Sequence, residues 1–183
     1  NQRMFEIIDV GHNDNKKEKN IKLIEKIKKN IDQSDIIIIA DYGHGLLNDI
    51  IIKEINKKRK FTAVNVQSNS ENLGFNLFHK YSKYNYLSID EKECRLGMHD
   101  RFSDIDSLSR KMHRKVNKNM AITLDKNGSI YFRKNKAYRC PAFFTKTIDT
   151  VGAGDTFFLI TSLLDKLNCP PDLIPFIGNI YAG

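Results

Sequence analysis

Apolar positions along this chain alternate between two periods. Ile21, Ile24, Ile27 and Ile31 recur at helical spacing among lysines. That pattern predicts an amphipathic helix over 16–31 with a basic solvent face. Ile36-Ile37-Ile38-Ile39-Ala40 is a short run without a polar break, which predicts a buried parallel strand. The pattern continues with a helix over 46–55, a strand over 61–66, and a loop with a short helix over 71–79. A strand over 86–89 leads into a short helix over 90–96. Ile105, Leu108, Met112 and Val116 mark another helix, and a fourth strand covers 120–124. Residues 129–133 and 136–140 read as an antiparallel pair joined at Lys134-Asn135. A long helix opens near Ala153, and Pro170-Pro171 separates it from a last one. Met4, Phe5, Ile7, Ile8 and Val10 read as a leading strand.

Strands alternating with helices predict an α/β fold, a parallel or mixed sheet with helices on both faces. Open sheets of this kind bind ligands at the carboxyl ends of their strands. Residues just after strands and at helix starts are therefore the ones to weigh for chemistry.

Composition changes this picture little. The 183 residues suffice for one domain with a sizeable core. A net charge of +8 invites a nucleic-acid reading. Much of the excess, however, lies on the solvent face of helix 16–31, and no aromatic stacking platform interleaves with it. A solvated basic face is the preferred reading, with no nucleic acid as partner, and the cations would also suit anionic substrates. The 3 cysteines (Cys94, Cys140, Cys169) are far apart and show no zinc spacing. Free thiols in a reducing, cytoplasmic compartment are expected. The 5 histidines show no metal spacing, and no apolar run approaches membrane-spanning length, so no membrane partner is expected.

The most informative stretch is Asp149-Thr150-Val151-Gly152-Ala153-Gly154-Asp155-Thr156, followed at once by Phe157, Phe158, Leu159, Ile160, Leu163, Leu164 and Leu167. The glycines stand at a helix N-terminus, where unpaired N–H groups and the helix dipole make an anion site. A carboxylate beside a phosphate is costly unless it has work there. Asp155 fits that place as the base that removes a proton from a hydroxyl attacking phosphorus. A plain glycine turn capping a buried helix is the alternative.

The segment resembles the Asp-Thr-x-Gly-Ala-Gly-Asp signature of the ribokinase/PfkB family of carbohydrate kinases. The resemblance implies a ribokinase-like fold and transfer of the γ-phosphate of ATP, with Mg²⁺, to a hydroxyl of a sugar or sugar phosphate. A monovalent cation is a further candidate cofactor. Catalytic roles fall on Asp155 and the anion hole Gly152, Ala153 and Gly154, with Asp149, Thr150, Gly152 and Gly154 towards the nucleotide.

Four more segments carry partial matches. Ala40-Asp41-Tyr42-Gly43-His44-Gly45 resembles the Ser/Ala-Asp-Tyr-Gly-Lys-Gly stretch of the heptose-phosphate kinase branch, with His44 replacing lysine. It would place Asp41 and Gly43 towards the substrate, and a capped turn is the alternative. Asn65-Val66-Gln67-Ser68-Asn69-Ser70 stands where relatives carry Asp-Pro-Lys. Its amide and hydroxyl groups, Asn65 among them, would bond a polyol or the nucleotide phosphates, or the segment is a plain loop. Asp90-Glu91-Lys92-Glu93 stands in place of the family's Asn-x-x-Glu, so Asp90 and Glu93 would organise Mg²⁺ through its waters. Helix capping by Asp90 is compatible with that role. Thr123-Leu124-Asp125-Lys126-Asn127-Gly128 resembles the Thr-x-Gly-x-x-Gly nucleotide turn, with Asp125 replacing the first glycine. Thr123, Asp125 and Gly128 are its candidates, and a simple β-turn is the alternative.

Family members are longer, so residues 1–183 read as the central and C-terminal portion of a kinase domain. A homodimer is a candidate assembly, and fusion to a nucleotidyltransferase a candidate architecture. A kinase of another alcohol, such as a nucleoside or vitamin precursor, is the first rival. A non-catalytic sugar- or nucleotide-sensing module is the second.

Overall fold

The computed structural model describes residues 16–69, 72–143 and 152–183. The leading strand expected near residues 4–10 lies outside them, as do Asp149 and Thr150. The described chain forms one six-stranded sheet in sequence order, β1 (Ile36–Asp41), β2 (Phe61–Val66), β3 (Tyr86–Asp90), β4 (Asn119–Thr123), β5 (Ser129–Arg133) and β6 (Lys136–Cys140). β1 to β4 run parallel, and β5 and β6 are antiparallel, so the sheet is mixed. The hairpin turns on Lys134 and Asn135, both with positive φ (49° and 62°), a backbone twist that suits a two-residue hairpin loop.

Among the described residues six helices cover the two faces: α1 (Lys16–Ile31), α2 (Asp49–Ile55), α3 (Glu91–Met98), α4 (Ile105–Val116), α5 (Ala153–Lys166) and α6 (Leu173–Ala182). Strand alternation decides which residue faces which layer. Val64, Val66, Leu87, Ile89, Met120, Ile122, Ile130 and Phe132 pack with Ile31, Ile51, Ile52, Cys94, Leu108 and Met112 of α1 to α4. The intervening Ala63, Tyr86, Ala121 and Tyr131 pack with Phe157, Phe158 and Ile174 of α5 and α6.

Three details differ from the sequence reading. β1 is only partly buried, because among the described residues it is a sheet edge. Ile21 is exposed, so α1 docks through Leu23, Ile24, Ile27 and Ile31 instead. α2 begins at Asp49 and not at Leu46, because the Asn48 side chain accepts the N–H groups of Ile50 and Ile51 and caps the helix there. Where the sequence predicts a loop with a short helix over 71–79, the described residues contribute one 3-10 turn, Phe78–Lys80. Cys94, Cys140 and Cys169 are free thiols.

Candidate active site

Parallel pairing of β1 to β4 brings their carboxyl ends to one edge, and α5 starts there. Asp155, in the first turn of α5, is half-buried. Its Oδ1 accepts from Gln67 Nε2 at 2.7 Å, and its Oδ2 accepts from the Tyr42 hydroxyl at 2.8 Å. Tyr42 follows β1 and Gln67 follows β2, so the carboxylate is held across the ends of two strands. Gln67 Nε2 also donates to Asn65 Oδ1 at 3.1 Å, and Asn65 Nδ2 donates to the Ser88 carbonyl at 2.9 Å. Asn65 is buried. It stands behind Gln67 and does not face solvent.

The start of α5 is open. Gly152 has φ +83°, a conformation that suits glycine, and among the described residues no side chain caps this helix end. The N–H groups of its first turn lack intrahelical partners. Among the described residues, a Cβ built on Gly152 or Gly154 would meet nothing within 4 Å. Nothing in them makes Gly154 necessary to avoid a clash, and none of them fills the space beside it.

Asp41 does not reach this space. It shares a face with Ile39, the face of α1 to α4, whereas Asn65 and Gln67 share the face of α5. The buried Asp41 carboxylate accepts from Lys80 Nζ and Tyr81 Oη, both at 2.7 Å, and from the Gly43 N–H at 2.9 Å. The burial of Tyr81 and the adjacent Asp41 charge raise the phenol above its ordinary value. Gly43 has φ +76°, and a Cβ there would meet Asn72 Nδ2 at 1.9 Å. Asn72 Nδ2 donates to the Tyr42 carbonyl at 2.9 Å. Asp41 and Gly43 thus anchor the backbone that delivers Tyr42.

Asp90 and Glu93 form a capping box. Asp90 Oδ1 accepts from the Glu93 N–H at 2.6 Å, and Glu93 Oε2 accepts from the Asp90 N–H at 2.9 Å. Glu93 Oε1 accepts from the Ser68 N–H at 3.0 Å. Burial, together with neighbouring Asp90, pushes the Glu93 carboxyl up to about 7. Both Glu93 oxygens are engaged by backbone donors, while Asp90 is exposed. This donor set fits a cation held through its own waters better than one ligated directly.

Thr123 pairs with Asp90 across β3 and β4, so the nucleotide-turn candidate and the acid pair are neighbours. Asp125 begins a 3-10 turn with φ 50°, and Gly128 closes it with φ +84°. A Cβ on Gly128 would meet the Cys140 carbonyl at 2.1 Å, so glycine is needed for hairpin packing there. Asp90, Lys92, Arg95, Leu124 and Asp125 line a groove of about 860 Å³.

Tyr42 and Gln67 escaped the sequence reading as individual residues. Both lie inside quoted segments, and Gln67 shares the alternation of Asn65. Nothing in the sequence alone joins either to Asp155, 113 and 88 positions away.

A family model described as pfkB family carbohydrate kinase matches residues 4–164. The chain belongs to this family. Among curated relatives, the bifunctional protein HldE of Helicobacter hepaticus is 28% identical over 155 residues, covering 80% of this chain and 31% of that protein. The HldE of Syntrophotalea carbinolica is 24% identical over 166 residues, covering 88% and 33%. The chain therefore spans about a third of the length of these relatives. Among solved structures, Arabidopsis thaliana ribokinase complexed with ribose and ATP superposes with a TM-score of 0.64 at 16% identity, over 88% of this chain and 51% of that one. The tetrameric inhibited form of Escherichia coli phosphofructokinase-2 gives 0.70 at 15%, over 91% and 56%. The fold of this pfkB-family chain is ribokinase-like, as its motif implied.

Proposed function

We propose that this pfkB-family chain carries the phosphoryl-transfer centre of an ATP-dependent carbohydrate kinase. The observation that carries the reading is Asp155, held from two strand ends beside an uncapped helix start with open space at Gly154. The acceptor hydroxyl gives its proton to Asp155 while its oxygen attacks the terminal phosphorus of ATP and ADP departs. The first-turn N–H groups of α5 receive the charge spread over the transferring phosphoryl oxygens. Thr123, Asp125 and Gly128, with Asp149 and Thr150, would flank the nucleotide. Asp90 and Glu93 would hold Mg²⁺ through its waters, and the ion would neutralise phosphate charge when bound.

The acceptor class is a sugar or sugar phosphate. The likeness of Ala40–Gly45 to the heptose-phosphate kinase branch favours a heptose phosphate. The two HldE relatives are called bifunctional and are about three times the length matched here, which agrees with a further unit, for which a nucleotidyltransferase is the candidate. Asp41 and Gly43 would shape the acceptor side indirectly, through Tyr42. Among the described residues no helix is long and apolar enough to cross a membrane. The free thiols agree with a cytoplasmic setting.

Coupled ADP release against a panel of hexoses, heptoses and their phosphates tests the reading. Acceptor-dependent ADP release with one class of sugar is expected. ATP binding with no release for any acceptor would favour a nucleotide-sensing module instead.

A further inference from the structure

The two oxygens of Asp155 are held by partners that are anchored in different ways. Gln67 is backed by Asn65, which is itself fixed to the Ser88 carbonyl inside the sheet. Tyr42, apart from its bond to Asp155, is anchored among the described residues through its main chain. Its carbonyl accepts from Asn72 at 2.9 Å and Asn69 at 3.3 Å, and the preceding Asp41 is locked by Lys80, Tyr81 and the Gly43 N–H. Its phenol lies at the rim, in a residue 41% exposed, with its ring near-parallel to His44 at 6.5 Å. Rotation about its own side-chain bonds would free Asp155 and leave the anchored backbone in place.

The contact itself mimics the reaction's first contact. A general base must receive a hydrogen bond from the hydroxyl that it will deprotonate. Here the Tyr42 hydroxyl makes that bond, at 2.8 Å. We propose that the Tyr42 hydroxyl is a place-holder for the acceptor hydroxyl, keeping water off Asp155 until a sugar displaces it. The inference rests on the kinase reading above.

The chemistry at stake is the side reaction of every kinase. A water on Asp155 would pass its proton to the carboxylate as its oxygen bonded the terminal phosphorus. The bond to ADP would break, leaving ADP and inorganic phosphate. Sequestering the reaction from water is a general requirement at such sites. A phenol hydrogen-bonded to a carboxylate holds its proton more tightly than usual, so Tyr42 is a poor substitute nucleophile. It occupies the position without reacting.

The test uses Mg²⁺-ATP alone, with no sugar, on wild type, Tyr42→Phe, Tyr42→Leu and the double variant Tyr42→Phe/Asp155→Asn. ATP binding is followed by calorimetry and ADP release by a coupled assay. Tyr42→Phe keeps the ring and removes only the hydroxyl. Sugar-independent ADP release should rise severalfold or more in both single variants. The double variant should lose that gain. Equal release by wild type and both single variants, all of which bind ATP, would overturn the place-holder and leave the kinase reading intact. A gain that survives Asp155→Asn would overturn it as well. Failure of every protein to bind ATP would overturn the kinase reading and this inference together.

Discussion

Gln67 donates to Asp155 Oδ1 at 2.7 Å, joining the exit of β2 to the first turn of α5. The bond sets the plane of a carboxylate whose other oxygen faces the exit of β1. Orientation of a base matters as much as its presence, since proton transfer needs a narrow geometry.

Gln67→Leu should therefore slow transfer without abolishing nucleotide binding. A hydrogen bond to a charged group is worth about 1.5–3 kcal/mol, so kcat should fall about tenfold or more. The dissociation constant for ATP, read by calorimetry, should stay within about twofold. Equal losses in both would make Gln67 a structural residue only.

Gly154→Val separates ligand room from fold room. Among the described residues, a Cβ at Gly154 meets no atom within 4 Å, so the melting temperature should hardly move. The added side chain fills space at the α5 start, so ATP affinity should fall by tenfold or more (~1.4 kcal/mol per tenfold). Unchanged affinity in the folded variant would remove the phosphate from this helix start.

Far along the same helix, Asp165 is a structural counterpart of Asp155. It is buried and accepts from the Tyr131 hydroxyl, from Arg133 Nη2 at 2.9 Å and from Asn119 Nδ2 at 3.0 Å. Asp165→Asn removes the charge opposite Arg133 and leaves its guanidinium only neutral acceptors, such as the Cys169 and Asp165 carbonyls. Losing the charge of one partner of a buried pair costs up to about 3–5 kcal/mol. A large drop in denaturant midpoint is expected, with ATP affinity intact where the protein is still folded.

His113 sets one limb of the pH dependence of stability. It is buried, stacked at 4.9 Å on Phe132, and burial holds it below its ordinary 6.5. The folded state then binds this proton less readily than the unfolded state. Its contribution is complete above pH 6.5 and falls as pH drops below that value. Melting temperatures of wild type and His113→Gln between pH 8 and pH 5 check this, and the acid loss should be smaller in the variant.

The layers of this fold were legible in the chain because strand alternation is local. Val64 and Ala63 already belong to different faces by sequence. The α5 start was legible for the same reason, its glycines and apolar run being contiguous. What the sequence could not supply was which strand-end side chain faces which layer. Asp41 drew notice as a carboxylate after a strand, yet its register turns it to Lys80 and Tyr81 and leaves Tyr42 to meet Asp155. Asp90 and Glu93 show the converse. The capping and metal roles predict the same residues, and the capping box is what the backbone displays.

The central claim is that Asp155 takes the acceptor's proton. Asp155→Asn keeps the shape of the side chain and removes its basicity. With one accepted sugar phosphate at saturation, ADP release should fall on the order of 10²–10⁴-fold, the usual cost of losing a general base. ATP binding should persist or tighten, because a negative charge beside the phosphates is gone. Turnover within about twofold of wild type would contradict the account.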